Sequence, residues 1–239
     1  MNEVKAPVVW VSGGSRGIGA AVALAFARIG AAVAVSGRQT QQLKRVVEQI
    51  AHEGGVGYSV VCDVRSESSV AKAHAKISDM LGAVDVLVNS AGVTYFTSFE
   101  STTSEQFDNV IATNLRGTFL CTQHALPGML AKRKGHIINI VSVAATTPFP
   151  NSSVYAASKA GVLTMSRGLR MEVRKRGIRV VDILPGPVDT DIWPEGARKK
   201  YGEKMMKPED VADAIVSVYC QPEGISTDEI TLRPPEGDL

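Results

Sequence analysis

The run Tyr155-Ala-Ala-Ser-Lys159 sets a phenol and an ammonium four residues apart, with Ser142 thirteen positions upstream. On a helix, that spacing puts Tyr155 and Lys159 on one face. An ordinary tyrosine titrates near pH ~10 and is no base at neutral pH. A cation beside it favours the phenolate, and the pair becomes a usable proton shuttle. The same spacing also suits two unremarkable surface residues, so its meaning depends on the rest of the chain.

A second group lies near the start. Gly13, Gly17 and Gly19 fall in Ser12-Gly-Gly-Ser-Arg-Gly-Ile-Gly19, between an apolar run and a helical pattern. Glycines there permit a tight turn and close backbone approach, while the helix start offers free N–H groups to a pyrophosphate. The next apolar run ends Val35-Ser36-Gly37-Arg38. A carboxylate near that point would grip ribose hydroxyls; here Arg38, with Arg16 from the glycine loop, suits a 2′-phosphate. The pattern therefore predicts NADP(H) in preference to NAD(H). Asp63 could accept a bond from an adenine amino group or serve as a turn residue. Asn114 sits within a helical pattern, where asparagine has poor propensity, which hints at another task or a satisfied buried amide.

These groups need a scaffold, and apolar strands alternate with amphipathic helices along nearly all 239 residues. Strands are expected over Val8–Ser12, Ala32–Ser36, Gly57–Cys62, Val84–Asn89, His136–Ser142, Ile178–Leu184 and near Glu229–Arg233. Helices are expected near Ile18–Ile29, Gln39–Glu53, Glu67–Leu81, Ser104–Lys132, Ser153–Arg176 and Pro208–Cys220. Pro208 with Glu209 and Asp210 suits a helix start; Gly30, Gly135 and Gly177 suit helix stops. The alternation predicts one α/β domain over residues 1–239, a doubly wound Rossmann fold of about seven parallel strands with helices on both faces. Residues 185–207, rich in Gly, Pro and charge, read as an irregular, mobile substrate lid.

Composition narrows the function. Hydrophobic residues make up 44% and charged ones 21%, with 26 basic against 24 acidic residues. That balance argues against nucleic-acid or membrane-surface binding. The opening Met-Asn-Glu-Val-Lys lacks a secretory leader's pattern, and no apolar run reaches the ~18–20 residues of a membrane span. Cys62, Cys121 and Cys220 read as reduced thiols of a cytoplasmic protein. The histidines, His52, His74, His124 and His136, form no ligand cluster, so no metal is expected.

Taken in order, the glycine loop, Asp63, Asn89-Ser-Ala-Gly92, Asn114, Ser142, Tyr155 with Lys159, and Pro185-Gly-Pro-Val-Asp-Thr190 resemble the short-chain dehydrogenase/reductase family, in its single-domain NAD(P)-dependent branch. The resemblance spans residues 7–233 and has a 3-oxoacyl-reductase-like character. It implies Tyr155 as general acid/base and Lys159 as the group that lowers its pKa and binds the nicotinamide ribose. It implies Ser142 as the residue orienting the carbonyl oxygen and Asn114 as the holder of a water leading from Lys159 to solvent. It implies dinucleotide contacts from Gly13, Ser15, Arg16, Gly17, Ile18, Gly19, Arg38, Asp63, Val64, Asn89, Ala91 and Gly92. Further contacts would come from Pro185, Gly186, Val188 and Thr190, the last two at the nicotinamide carboxamide.

The chain departs from the family pattern at Ser90, where a second Asn is usual, at Ser12, where Thr is usual, and in its final residues, which lack the usual Asp-Gly-Gly. A homodimer through the long helices or a homotetramer is expected. The substrate pocket is expected from Val93, Thr94, Tyr95 and Phe96, from Val143, Ala144 and Phe149, and from Trp193 in the lid. Such a wall suits a neutral ketone, aldehyde or secondary alcohol. Arg198, Lys199 and Lys200 offer either an acyl-carrier contact or solvated loop charge, so 3-oxoacyl thioester and small-carbonyl reduction both stay open. A silent dinucleotide-binding regulator is the competing reading from another class; the intact Asn114, Ser142, Tyr155 and Lys159 speak against it.

Overall fold

Val, Ile and Ala dominate the short apolar runs, and β-branched residues buried on both faces are what a central parallel strand requires. The computed structural model describes residues 6–237; Met1–Lys5, read above for a leader, and residues 238–239 lie outside the described residues. The runs form β1 (Val8–Ser12), β2 (Ala32–Gly37), β3 (Val56–Val61), β4 (Val86–Asn89), β5 (Gly135–Ile140), β6 (Ile178–Pro185) and β7 (Glu229–Leu232). All pair in parallel, in the order β3-β2-β1-β4-β5-β6-β7. Every residue of β1 and β4 is buried, as befits strands at the centre of the sheet.

Helices α1 (Gly17–Arg28), α2 (Thr40–His52) and α8 (Pro208–Tyr219) cover one face, packing Phe26, Leu43, Ile50 and Ile215 against it. Helices α3 (Glu67–Leu81), α5 (Gly117–Lys132) and α6 (Ser153–Val173) cover the other, over Trp10, Leu87 and Ile137. The doubly wound, seven-stranded Rossmann architecture is thus as expected. Strand order reverses between β1 and β4, and the crevice beyond the ends of those strands is where such sheets receive ligands.

Three local expectations need correction. The single helix expected over Ser104–Lys132 is α4 (Ser104–Val110), a π-helical turn at Ile111–Arg116, and then α5. One residue too many in a turn leaves the 3.6-residue pattern almost unchanged, so the sequence does not flag it. Gly135 does not stop α5; Arg133 does, in the left-handed region at φ 51°, and Gly135 instead opens β5 against the Met129 side chain. The irregular lid expected over 185–207 contains α7 (Glu195–Tyr201) and a 3-10 turn at Gly202–Lys204. Glu195 in the first turn and Arg198, Lys199 and Lys200 in the last complement the helix dipole, and Lys199 pairs with Glu195 at 2.7 Å.

Candidate active site

The glycine loop brings the ends of β1 and β4 together. Gly13 has φ +70°, and a Cβ there would stand 2.6 Å from the Ala91 Cα. Gly17 has φ +54°, with the Thr190 methyl 3.1 Å from where its Cβ would be. Helix α1 then begins with Arg16 at its N-cap, with no side-chain cap and no acid in its first turn. By contrast, Ser66 caps α3 and Thr103 caps α4. The α1 N–H groups and the positive end of its dipole are left for an anion.

Around this start runs a cleft of ≈ 740 Å³. Ser15, Arg16, Gly17, Ile18 and Arg38 line one end of it, with Asp63, Val64, Ala91 and Gly92 close by. The Asp63 carboxylate accepts from Arg65 Nε at 3.0 Å and Arg65 Nη2 at 2.7 Å, and these bonds hold its pKa below the usual carboxylate range. Gly19 stays off the cleft wall; a Cβ there would collide with the Gly13 carbonyl.

Asn89 does not line the adenosine side as expected. It is buried, and its Nδ2 donates to Thr122 Oγ1 at 3.1 Å and Asn139 Oδ1 at 2.9 Å. Side chains alternate along a strand, so the in-register Asn89 and Asn139 side chains meet beneath the sheet's α5 face rather than in the cleft.

At the other end, Ser142 stands two residues past the end of β5, and its Oγ accepts from Ala144 N at 3.1 Å. Tyr155 stands in the first turn of α6, and Lys159 one turn on, 6% exposed. The Lys159 ammonium donates to the Ile140 carbonyl at 2.6 Å and lies 5.8 Å from the centre of the Tyr155 ring. Burial pulls the Lys159 pKa down to about 8. Burial also raises the Tyr155 pKa, against the opposing hydrogen bond of Ser142. This differs from the expected lowering of Tyr155 by Lys159: desolvation favours the neutral form of each partner. Protonated Tyr155 is the form that can give up a proton.

Asn114 occupies the π-helical turn. Its Oδ1 accepts from Val93 N at 2.8 Å, and its Nδ2 donates to Val93 O and to Ser158 Oγ, both at 2.9 Å. Ser158 Oγ in turn donates to the Tyr155 carbonyl at 2.7 Å. Asn114 thereby ties the loop after β4 to the first turns of α6. Ser158 and Arg65 were not singled out by sequence; the i+3 position of Ser158 after Tyr155 is a signal that could have found it.

Val93, Val143, Phe149 and Trp193 wall the space beside Ser142 and Tyr155, joined by Phe96. Pro185, Gly186, Val188 and Thr190 form the floor between the two ends. Tyr95 lies outside the cleft, contrary to expectation. It is 41% exposed, and its hydroxyl accepts from Asn109 Nδ2 at 2.8 Å. Ala144 is fully buried behind the wall. Arg198 is bound to Asp189 and Asp191, both at 2.6 Å, and Lys200 lies 4.8 Å from the Tyr201 ring. Asp191 also meets Arg16 at 3.4 Å, joining the lid to the glycine loop.

The family model for short chain dehydrogenase matches residues 7–200. The chain is 35% identical to sepiapterin reductase of Chlorobaculum tepidum, over 97% of this chain and 98% of that protein. An alcohol dehydrogenase from the archaeon Thermococcus sibiricus, complexed with 5-hydroxy-NADP, superposes with a TM-score of 0.89 at 26% identity, covering 98% of each chain. The closed form of a serine dehydrogenase complexed with NADP+ gives a TM-score of 0.90 at 28% identity, over 97% of this chain and 96% of that one. The chain belongs to the short chain dehydrogenase family and is an oxidoreductase of that family. The open α1 N-terminus, the side-chain-free approach at Gly13 and Gly17 and the arginines beside them fit a nicotinamide dinucleotide. Among the described residues no helix is long and apolar enough to cross a membrane.

Proposed function

We propose that the protein is an NADP(H)-dependent carbonyl reductase, interconverting a ketone or aldehyde and its alcohol. The observation that carries this reading is the convergence of Ser142, Tyr155 and Lys159 on one cleft whose far end holds Arg16 and Arg38. The dinucleotide, when bound, supplies the hydride that reaches the carbonyl carbon. Ser142 holds the carbonyl oxygen; the bond from Ala144 N fixes its Oγ and leaves its own proton to donate. Tyr155 O–H delivers the proton to that oxygen, so hydride and proton together make the alcohol. Lys159, with ammonium protons to spare beyond the one held by Ile140, steadies the ribose and the phenolate left behind. Asn114 sets the loop carrying Gly92 and Val93 beside them.

Preference for the 2′-phosphorylated dinucleotide is supported by Gly37-Arg38 at the end of β2, where no carboxylate stands. The consumption of Arg198, Lys199 and Lys200 in local pairs favours a small carbonyl over a carrier-bound 3-oxoacyl thioester. The test is turnover of ketones, aldehydes and 3-oxoacyl thioesters with NADPH and with NADH, for the wild type and Arg38→Asp. NADPH should be preferred, and the variant should weaken NADPH binding about 10- to 100-fold while improving NADH. An unchanged preference would remove Arg38 from the reading.

A further inference from the structure

We infer that the substrate end of the cleft is shaped for a neutral, flat aryl carbonyl, stacked on the rings of Phe149 and Trp193 with Phe96 behind. This rests on the carbonyl-reductase reading above. The three rings come from separate segments: Phe96 after β4, Phe149 ahead of α6, and Trp193 between β6 and α7. Yet their planes share nearly one orientation. Phe96 and Trp193 stack at 4.9 Å and 14°, Phe149 and Trp193 at 6.4 Å and 20°, and Phe96 and Phe149 at 6.2 Å and 32°.

The other ring pairs among the described residues are tilted or edge-on: His74 on His124 at 37°, Trp10 on His74 at 42°, Phe26 on Tyr219 at 66° and His136 on Tyr219 at 68°. Parallel planes opening on a cleft offer π faces to a flat ring; a puckered or flexible substrate gains only ordinary apolar contact. The adjoining wall of Val93, Val143, Ile192 and Met205 is apolar. Among the described residues, the charged side chains on the cleft wall are Arg16, Arg38, Asp63, Arg65, Asp191 and Lys159. The first five stand by the glycine loop and the ends of β2 and β3; Lys159 donates to the Ile140 carbonyl, and in the proposed reading its remaining protons go to the ribose and the Tyr155 phenolate. A carboxylate among the three rings would lose its water without gaining a partner, so the ring system must be uncharged.

Acetophenone and cyclohexyl methyl ketone differ chiefly in whether the ring is flat. Their kcat/KM ratio, measured with NADPH for the wild type, Trp193→Leu and Phe149→Leu, cancels intrinsic reactivity. Each variant should lower the ratio by about three- to tenfold, with the NADPH Kd unmoved, and a para-carboxylate on acetophenone should cost at least about tenfold. A ratio that survives both substitutions, or a carboxylate tolerated without loss, overturns the inference. Fluorescence separates this from failure of the parent reading. The chain has two tryptophans, and Trp10 is buried in the core, so ligand quenching reports Trp193. If no carbonyl is turned over, the reductase reading fails. The aromatic site then stands on quenching by acetophenone with none by cyclohexyl methyl ketone, and falls if the two behave alike.

Discussion

Burial sets the proton affinity of Tyr155, Lys159 and His136 more than charge pairing does. Lys159 and Tyr155 face each other at the cleft, yet desolvation shifts each toward its neutral form. The same physics acts on His136, on β5, whose pKa burial lowers to about 4, with help from Arg179 and Lys134. Its Nε2 is buried without a partner. An unfolded chain protonates this histidine below pH ~6.5, while the folded one resists down to about 4. The unfolded state therefore binds more protons in that window, and stability, complete above pH ~6.5, falls as pH drops. His136→Phe should remove about 2 kcal/mol of the difference between urea stabilities at about pH 7 and about pH 5. An identical pH slope in the variant would contradict this.

Sequence spacing was sufficient to place Tyr155 and Lys159 one turn apart on a helix and the glycine loop between β1 and α1, because helix and turn geometry are local. It misplaced Asn89 and Tyr95, because the face that a residue presents at a strand's end or in a loop depends on strands and helices far away in sequence.

At the scale of elements, α6 carries Tyr155 and Lys159, the side chains proposed to react, and is pinned to the sheet by polar groups. Ser158, Ser166 and Arg170, eight and then four residues apart, lie along its inward side. Ser158 meets Asn114, Ser166 accepts from Asn139 at 3.1 Å, and Arg170 meets Asp182 at 2.6 Å. Asn89, Asn139 and Asp182 are in register across β4, β5 and β6 and bonded edge to edge. Asp182 is fully buried, and burial raises its pKa against the hydrogen bonds of Ser166, Asn139 and Arg170. Asp182→Ala would take the nearest carboxylate from the buried Arg170 guanidinium, leaving it the Val180 and Asp228 carbonyls and the Asp228 and Glu229 carboxylates at 3.8 Å. We expect a loss of about 2–4 kcal/mol in urea unfolding; a loss below about 1 kcal/mol would mean that the pair does not hold α6. The helices and strands themselves were legible from apolar periodicity and caps. The π-helical turn that presents Asn114, and α7 within the lid, were not. One depends on a single extra residue, and the other is a short helix of seven residues in a stretch dominated by charge.

At the scale of the molecule, the sheet's reversal between β1 and β4 opens the one crevice that the proposed function gives to both dinucleotide and carbonyl. The glycine loop and Arg38 stand at one end, and Ser142, Tyr155 and the three aromatic rings at the other. Asp191 and Trp193, two residues apart, tie the 185–207 segment to both ends of the crevice: Asp191 to Arg16 and Trp193 to Phe96. The α/β alternation makes this architecture readable from the sequence alone. The shape of the substrate wall was not readable, because its rings meet only once the segments after β4 and β6 and ahead of α6 are folded together. The central claim is that Tyr155 gives the proton to a carbonyl oxygen in that crevice. The direct measurement is NADPH oxidation with a turned-over carbonyl by Tyr155→Phe, beside its NADPH Kd. The account predicts a fall in kcat of about 100- to 10,000-fold with Kd changed less than about threefold. A variant that keeps kcat within about threefold of the wild type would contradict it.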